Sequence, residues 1–267
     1  MKVSAVKYLS VFRTSFMNFT EYKLEFFMRL FSPVLILIML YLFWGIVFKA
    51  SGSETLGGLG FETFYLYIGL ATIFSNFSMP MHALELSDVI KHGELNQVLT
   101  RPVSLITYYF FRKIPLSCLI ATLWLAVFLF VCKTFGFYVP SLLTLVLFLI
   151  SATLSLLISY AIHIFIGITA FWTYEIYGLL WGLENIISVL SGAYIPLTLF
   201  PAPIQQIMNW LPFKHLAFTP AFLYLGKYSP SESLIQLSIQ LVWCVILFGA
   251  ARWLFNRGVK RFDSQGG

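Results

Sequence analysis

Six stretches of the chain carry almost no charge: 31–48, 63–81, 114–132, 141–171, 176–199 and 233–251. Four of them are 18 or 19 residues long. That suffices for a helix to cross a hydrocarbon core of about 30 Å at about 1.5 Å per residue. The stretch 141–171 is longer, and predicts a helix that tilts or extends past the bilayer. In lipid, every backbone N–H and C=O must be satisfied without water, so each stretch is expected to be helical. The alternating pattern of a membrane barrel is absent. The pattern predicts an all-α polytopic membrane protein with six transmembrane helices in one domain.

Three segments outside these stretches are patterned too. In residues 2–29, Ala5, Tyr8, Leu9, Phe12, Phe16 and Phe19 recur at helical spacing, with Lys7, Ser10, Thr14, Asn18 and Glu21 opposite. This predicts an amphipathic helix lying in the membrane interface. The first apolar stretch starts too far into the chain, and lacks the small-residue site, to read as a cleaved signal. The loop 82–102, HALELSDVIKHGELNQVLTRP, mixes Glu85, Asp88 and Glu94 with Lys91 and Arg101. Leu86, Val89, Ile90, Leu95, Val98 and Leu99 give it an apolar side; Gly93 interrupts the helix and Pro102 ends it. It is longer and more patterned than a connector needs, and reads as a surface that touches another protein. In residues 191–220 five prolines punctuate an apolar run, and IQQIMNWL, 204–211, predicts a short helix. This segment is too apolar for a solvated loop and is expected at the outer interface or dipping back into the membrane, with Trp210 in the interfacial belt. Residues 200–232 then form an outer helical segment, and 252–267 a cytoplasmic tail.

Composition excludes a soluble protein. Apolar residues make up 59% of the 267 positions and charged ones only 10%, where about 25% charged is usual. The net charge is +6, and its placement matters more than its sum. With the N-terminus inside, thirteen Lys and Arg fall on inner segments and four (Lys49, Lys133, Lys214 and Lys227) on outer ones. That bias places both termini in the cytoplasm and gives no reason to expect nucleic acid as a partner. Cys118, Cys132 and Cys244 lie in or beside apolar runs without paired spacing, and read as packing residues.

Catalytic motifs are missing. There is no phosphate loop, H-E-x-x-H or G-x-S-x-G. His82 and Glu85, three apart, lack the further ligands a metal needs. The matches to the glycosylation pattern at Asn18 and Asn76 fall inside the cell or in a span. Two groups stand out by cost: Glu184 in the fifth stretch and His163 in the fourth. A mid-membrane carboxylate costs at least ~2.5–3.5 kcal/mol on insertion scales. Glu184 is therefore expected to face a cavity, a partner helix or a neighbouring subunit. His163 is expected to be neutral and satisfied locally. Glu175 is expected in the short solvated turn between the fourth and fifth stretches.

Three runs resemble one family. KHGELNQVLTRPVS, 91–104, is similar to a "G-E-L-(D/N)-x-x-L-x-R-P" pattern. SGAYIPLTLFP, 191–201, is followed by LPF at 211–213 and by Pro220. The tail RGVKRFDSQGG, 257–267, is basic, aromatic and Gly-ended. In this order, with six spans and an amphipathic start, the chain resembles ABC-2 type exporter permeases, in a bacterial branch of about 260 residues. The resemblance implies a permease of the bacterial inner membrane that pairs with a second copy or a sister permease. Two separate ATPase subunits would bind ATP and Mg, and this chain would hold no cofactor or catalytic site. The loop between spans two and three would be a cytoplasmic coupling helix, with Glu85, Asp88, Lys91, His92, Gly93, Glu94, Leu95, Leu99 and Arg101 facing the ATPase. The outer segment would supply short re-entrant helices. The rival reading is an ion-coupled secondary transporter or channel built on Glu184 and His163. Little else in the spans is ionisable, and no inverted repeat is visible. An intramembrane enzyme needs a cluster of reactive groups that the sequence does not offer.

Overall fold

A computed structural model describes residues 23–75, 80–92, 95, 105–173 and 175–261. Nine α-helices account for most of the described residues. They are α1 (Lys23–Ser51), α2 (Phe61–Ser75), α3 (Pro80–Lys91), α4 (Leu105–Phe135), α5 (Leu142–Ile168), α6 (Tyr177–Leu190), α7 (Ala202–Trp210), α8 (Phe218–Tyr224) and α9 (Pro230–Val259). Between α1 and α2 lies a two-stranded antiparallel hairpin, β1 (Thr55–Leu56) and β2 (Leu59–Gly60). Its tip needs positive φ at both central positions, which Gly57 (58°) and Gly58 (76°) supply.

Four helical segments among the described residues are long and apolar enough to cross a membrane: Val34–Ser51, Ser117–Phe135, Leu142–Phe171 and Pro230–Val259. The chain is a multi-pass helical membrane protein. The stretches expected at 63–81 and 176–199 contain shorter apolar helices, α2 with 15 residues and α6 with 14. α6 stops early for a local reason. Ser191 is its C-cap and Gly192 takes φ 80°. The N–H of Ala193 bonds the carbonyl of Ser188, and that of Gly192 the carbonyl of Val189. This paired closure needs a residue that tolerates positive φ. Pro196 and the single turn Leu197–Leu199 follow. The apolarity of 191–199 hides a stop signal.

α5 is the axis of the fold, packing on α9, α3 and α8. At its N-terminal end Phe148 joins a core with Tyr67, Phe74, Ala221 and Tyr224. At its C-terminal end Tyr160, Ile164 and Ile168 join Leu86, Ile90, Leu95, Tyr109 and Ala251. The starts of α5 and α9 are set by polar contacts: Ser141 caps α5, and Ser229 and Glu232 form a capping box on α9 with Pro230 in its first turn. The N-terminal segment expected as an interfacial helix lies almost wholly outside the described residues.

Candidate functional site

The buried side of α5 carries Ser151, Ser155, Ser159, His163 and Gly167, each four residues from the next. At about 100° per residue, a step of four advances the direction by ~40°. The stripe therefore winds by ~160° and meets a different neighbour at each level. Ser151 Oγ donates to Gln240 Oε1 of α9 at 2.9 Å, and Gln240 Nε2 donates to the His215 carbonyl at 3.1 Å. Ser155 Oγ donates to the Leu216 carbonyl at 2.5 Å. His163 meets Glu184 of α6. Gly167 lets Ala83 of α3 approach so closely that a Cβ on it would lie 2.9 Å from the Ala83 Cα. Small residues of this kind let membrane helices pack backbone to backbone.

The two costly groups of the sequence meet. His163 Nε2 lies 2.8 Å from Glu184 Oε2, with side chains 1% and 14% exposed. His163 Nδ1 lies 2.7 Å from the Ser159 carbonyl. A carbonyl only accepts, so Nδ1 carries the hydrogen, and a single proton is shared between Nε2 and Oε2. Whichever atom holds it, the pair is neutral as a whole, which offsets the cost of placing a carboxylate in lipid. A cavity of about 20 Å³ beside Glu184 is lined by Ser155, Ser159, Ser188 and Ser191. That is room for about one water molecule. The arrangement ties α5 to α6 through one partly buried hydrogen bond.

Of the segment expected to couple to a partner, the described residues 82–92 and 95 pack on their own chain. Leu86 and Ile90 of α3, with Leu95 beyond it, are buried in the core at the C-terminal end of α5. His82 is buried with its ring 5.4 Å from that of Tyr160. The described part of the apolar side legible in the sequence, Leu86, Ile90 and Leu95, is thus used internally. Glu85 is half-buried, its carboxylate 3.6 Å from Arg112 of α4. Asp88 and His92 are exposed, the His92 ring nitrogen bonded to the Asp88 carbonyl at 2.9 Å, and Lys91 is half-buried. Gly93, Glu94, Leu99 and Arg101 lie outside the described residues. Glu175 is exposed and accepts the Tyr177 N–H at the start of α6.

Sequence reasoning passed over Gln240, fully buried within the last apolar stretch, and the serines of α5. The run S-x3-S-x3-S-x3-H-x3-G was the available signal. A family model described as "ABC-2 family transporter protein" matches residues 34–266. No curated protein matches the chain.

Proposed function

We propose that this chain, which belongs to the ABC-2 transporter family, is the membrane-spanning permease subunit of an ATP-driven exporter in a bacterial inner membrane. The family implies partnership with ABC ATPase subunits. In the proposal two ATPase subunits serve a pair of permeases, either two copies of this chain or this chain and a sister. ATP and Mg belong to the ATPase, and the permease itself does no bond chemistry. The observation that carries this reading is the family match over most of the chain.

The end of α3 is the proposed point of entry for the stroke, through exposed Asp88 and His92 and the adjoining Gly93, Glu94, Leu99 and Arg101. A push there reaches α5 directly, because Ala83 and Gly167 are packed backbone to backbone. From α5 it reaches α6 through His163 and Glu184. Rigid-body movement of such packed elements is the ordinary form of a two-state transition. With the N-terminus inside, the C-terminal end of α5 faces the cytoplasm and α7 and α8 face outward as the short re-entrant helices.

Purification of the tagged full chain in mild detergent tests the assembly: an ATPase subunit is expected to co-purify. In that complex, Asp88→Arg and Glu94→Arg are expected to lower coupled ATPase turnover while the permease still inserts. A chain that purifies alone, or variants with normal coupled turnover, defeats the reading. The His163–Glu184 pair favours a second reading, an ion-coupled transporter. It requires transport that stops when the proton gradient is collapsed with ATP still present.

A further inference from the structure

Between the middle turns of α4 and α5 lies a half-open groove floored by α2, with a volume of about 230 Å³. The floor is buried: Leu70 and Phe74 of α2 and Phe148 of α5 are 0%, 5% and 3% exposed. The lips are exposed, with Cys118 and Thr122 on α4 and Leu149 and Thr153 on α5. No charged side chain lines the groove. Both threonine hydroxyls at the lips donate to their own helices, Thr122 to the Cys118 carbonyl at 2.8 Å and Thr153 to the Leu149 carbonyl at 2.9 Å. A bound water molecule needs about two to four polar partners, and these walls offer little beyond a weakly bonding thiol. The occupant they suit is apolar.

Shape and surroundings narrow the choice. The α5 wall runs over residues 149–157, a rise of roughly 12 Å along the helix. That is most of one leaflet, which is half of a hydrocarbon core of about 30 Å. The groove is thus a slot parallel to the helices, as lipid tails are. Both walls belong to helices long enough to cross a membrane, Ser117–Phe135 and Leu142–Phe171. Beyond the lips the exposed apolar surface continues through Leu123 and Val127 on α4 and through Val146 and Ile150 on α5. At that depth the surrounding solvent is hydrocarbon. An unfilled slot forfeits the dispersion contacts of its walls, and an apolar cavity of about 150 Å³ is already enough to bind benzene.

We propose that this groove is an acyl-chain site, which holds one straight tail of a membrane lipid between α4 and α5, against Leu70, Phe74 and Phe148. The tail completes a packing layer that the protein leaves open, and fastens α4 to α5 where the cavity parts them. The site is separate from the His163–Glu184 pair and from the exposed end of α3. It rests neither on an ATPase partner nor on the orientation proposed above.

Photo-crosslinking in a bilayer tests it. The full chain is reconstituted in palmitoyl-oleoyl phosphatidylcholine with a trace of the same lipid carrying a diazirine midway along its palmitoyl tail, and adducts are mapped by peptide mass spectrometry. Adducts on Cys118, Thr122, Leu149 and Thr153 are expected to exceed those on Leu42, Val127 and Val245, exposed positions outside the groove, by roughly tenfold. Ala121→Phe and Ala152→Phe put a ring into the groove from either wall. They are expected to bring that ratio down to one while the melting temperature holds or rises, because a void is filled. Ala126→Phe, exposed on α4 outside the groove, is expected to keep the ratio. Even labelling of the wild type overturns the proposal, as does a ratio that survives both filling variants. Adducts missing from the groove alone mean that protein covers it, a second copy included, and overturn it too. The wild-type distribution decides even where a filling variant fails to fold.

Discussion

α4 and α5 are both long, apolar and punctuated by hydroxyl residues, yet they use those hydroxyls in opposite ways. On α4, Thr122 and Thr134 turn back to the carbonyls of Cys118 and Phe130, four residues earlier in the same helix. On α5, Ser151 and Ser155 reach across to α9 and to the turn before α8. Thr153, on the exposed side of the same α5, again bonds its own helix at Leu149. A hydroxyl that faces lipid or an apolar cavity has no partner but its own backbone; one that packs against polar protein groups becomes a tie between elements. α4 stands apart in packing as well. A largely apolar cavity of about 230 Å³, lined among others by Leu70, Phe74, Thr122 and Leu157, separates it from α2 and α5. α4 thus joins the core around α5 through Leu105 and Tyr109 at its start and is parted from it farther along by this cavity.

The comparison breaks most sharply at the His163–Glu184 pair. Glu184→Ala leaves a buried ring without its partner and is expected to cost about 3–5 kcal/mol, measured as a lowered detergent melting temperature. Glu184→Gln keeps a hydrogen-bonding amide there and is expected to recover most of that loss. If Glu184→Ala instead assembles normally and changes transport alone, the pair belongs to the pathway and not to the scaffold. Gly167→Val ranks next. Its side chain meets the Ala83 backbone, and overpacking of this kind costs about 1–3 kcal/mol. Gly45→Val on α1, where a Cβ meets open space, is expected to stay within about 0.5 kcal/mol. Below Gly167→Val, Ser151→Ala is expected to cost about 0.6–1.7 kcal/mol, while Thr122→Ala on α4 is expected to be silent in the same melts.

Long helices were legible because membrane solvent leaves one signature, the absence of charge, and α1, α4, α5 and α9 carry it plainly. The end of α6 was not, because hydropathy sees Gly192 as another apolar residue while the backbone uses it as a hinge to positive φ. His163 and Glu184 were each visible through their cost in lipid. Their meeting was not, since it depends on how α5 and α6 turn toward each other. In α3 the apolar side was readable, but sequence does not say whether such a side serves a partner or the chain itself. Here Leu86 and Ile90 go inward, leaving Asp88 and His92 outside. Lys214 entered the sequence reading only as one more outer positive charge, because burial under α7 is a tertiary fact.

The early stop of α6 also acts on the bilayer. Fourteen residues reach about 21 Å, some 9 Å less than an ordinary hydrocarbon core. Tyr177, Leu179, Trp181 and Ile186 of α6 are exposed, an apolar face that needs lipid tails or another subunit to cover it. Mismatch costs fractions of a kcal/mol per ångström. A helix of this length crosses a membrane only where the bilayer thins to meet it, so acyl-chain length is a variable against which the stability of this protein is to be measured.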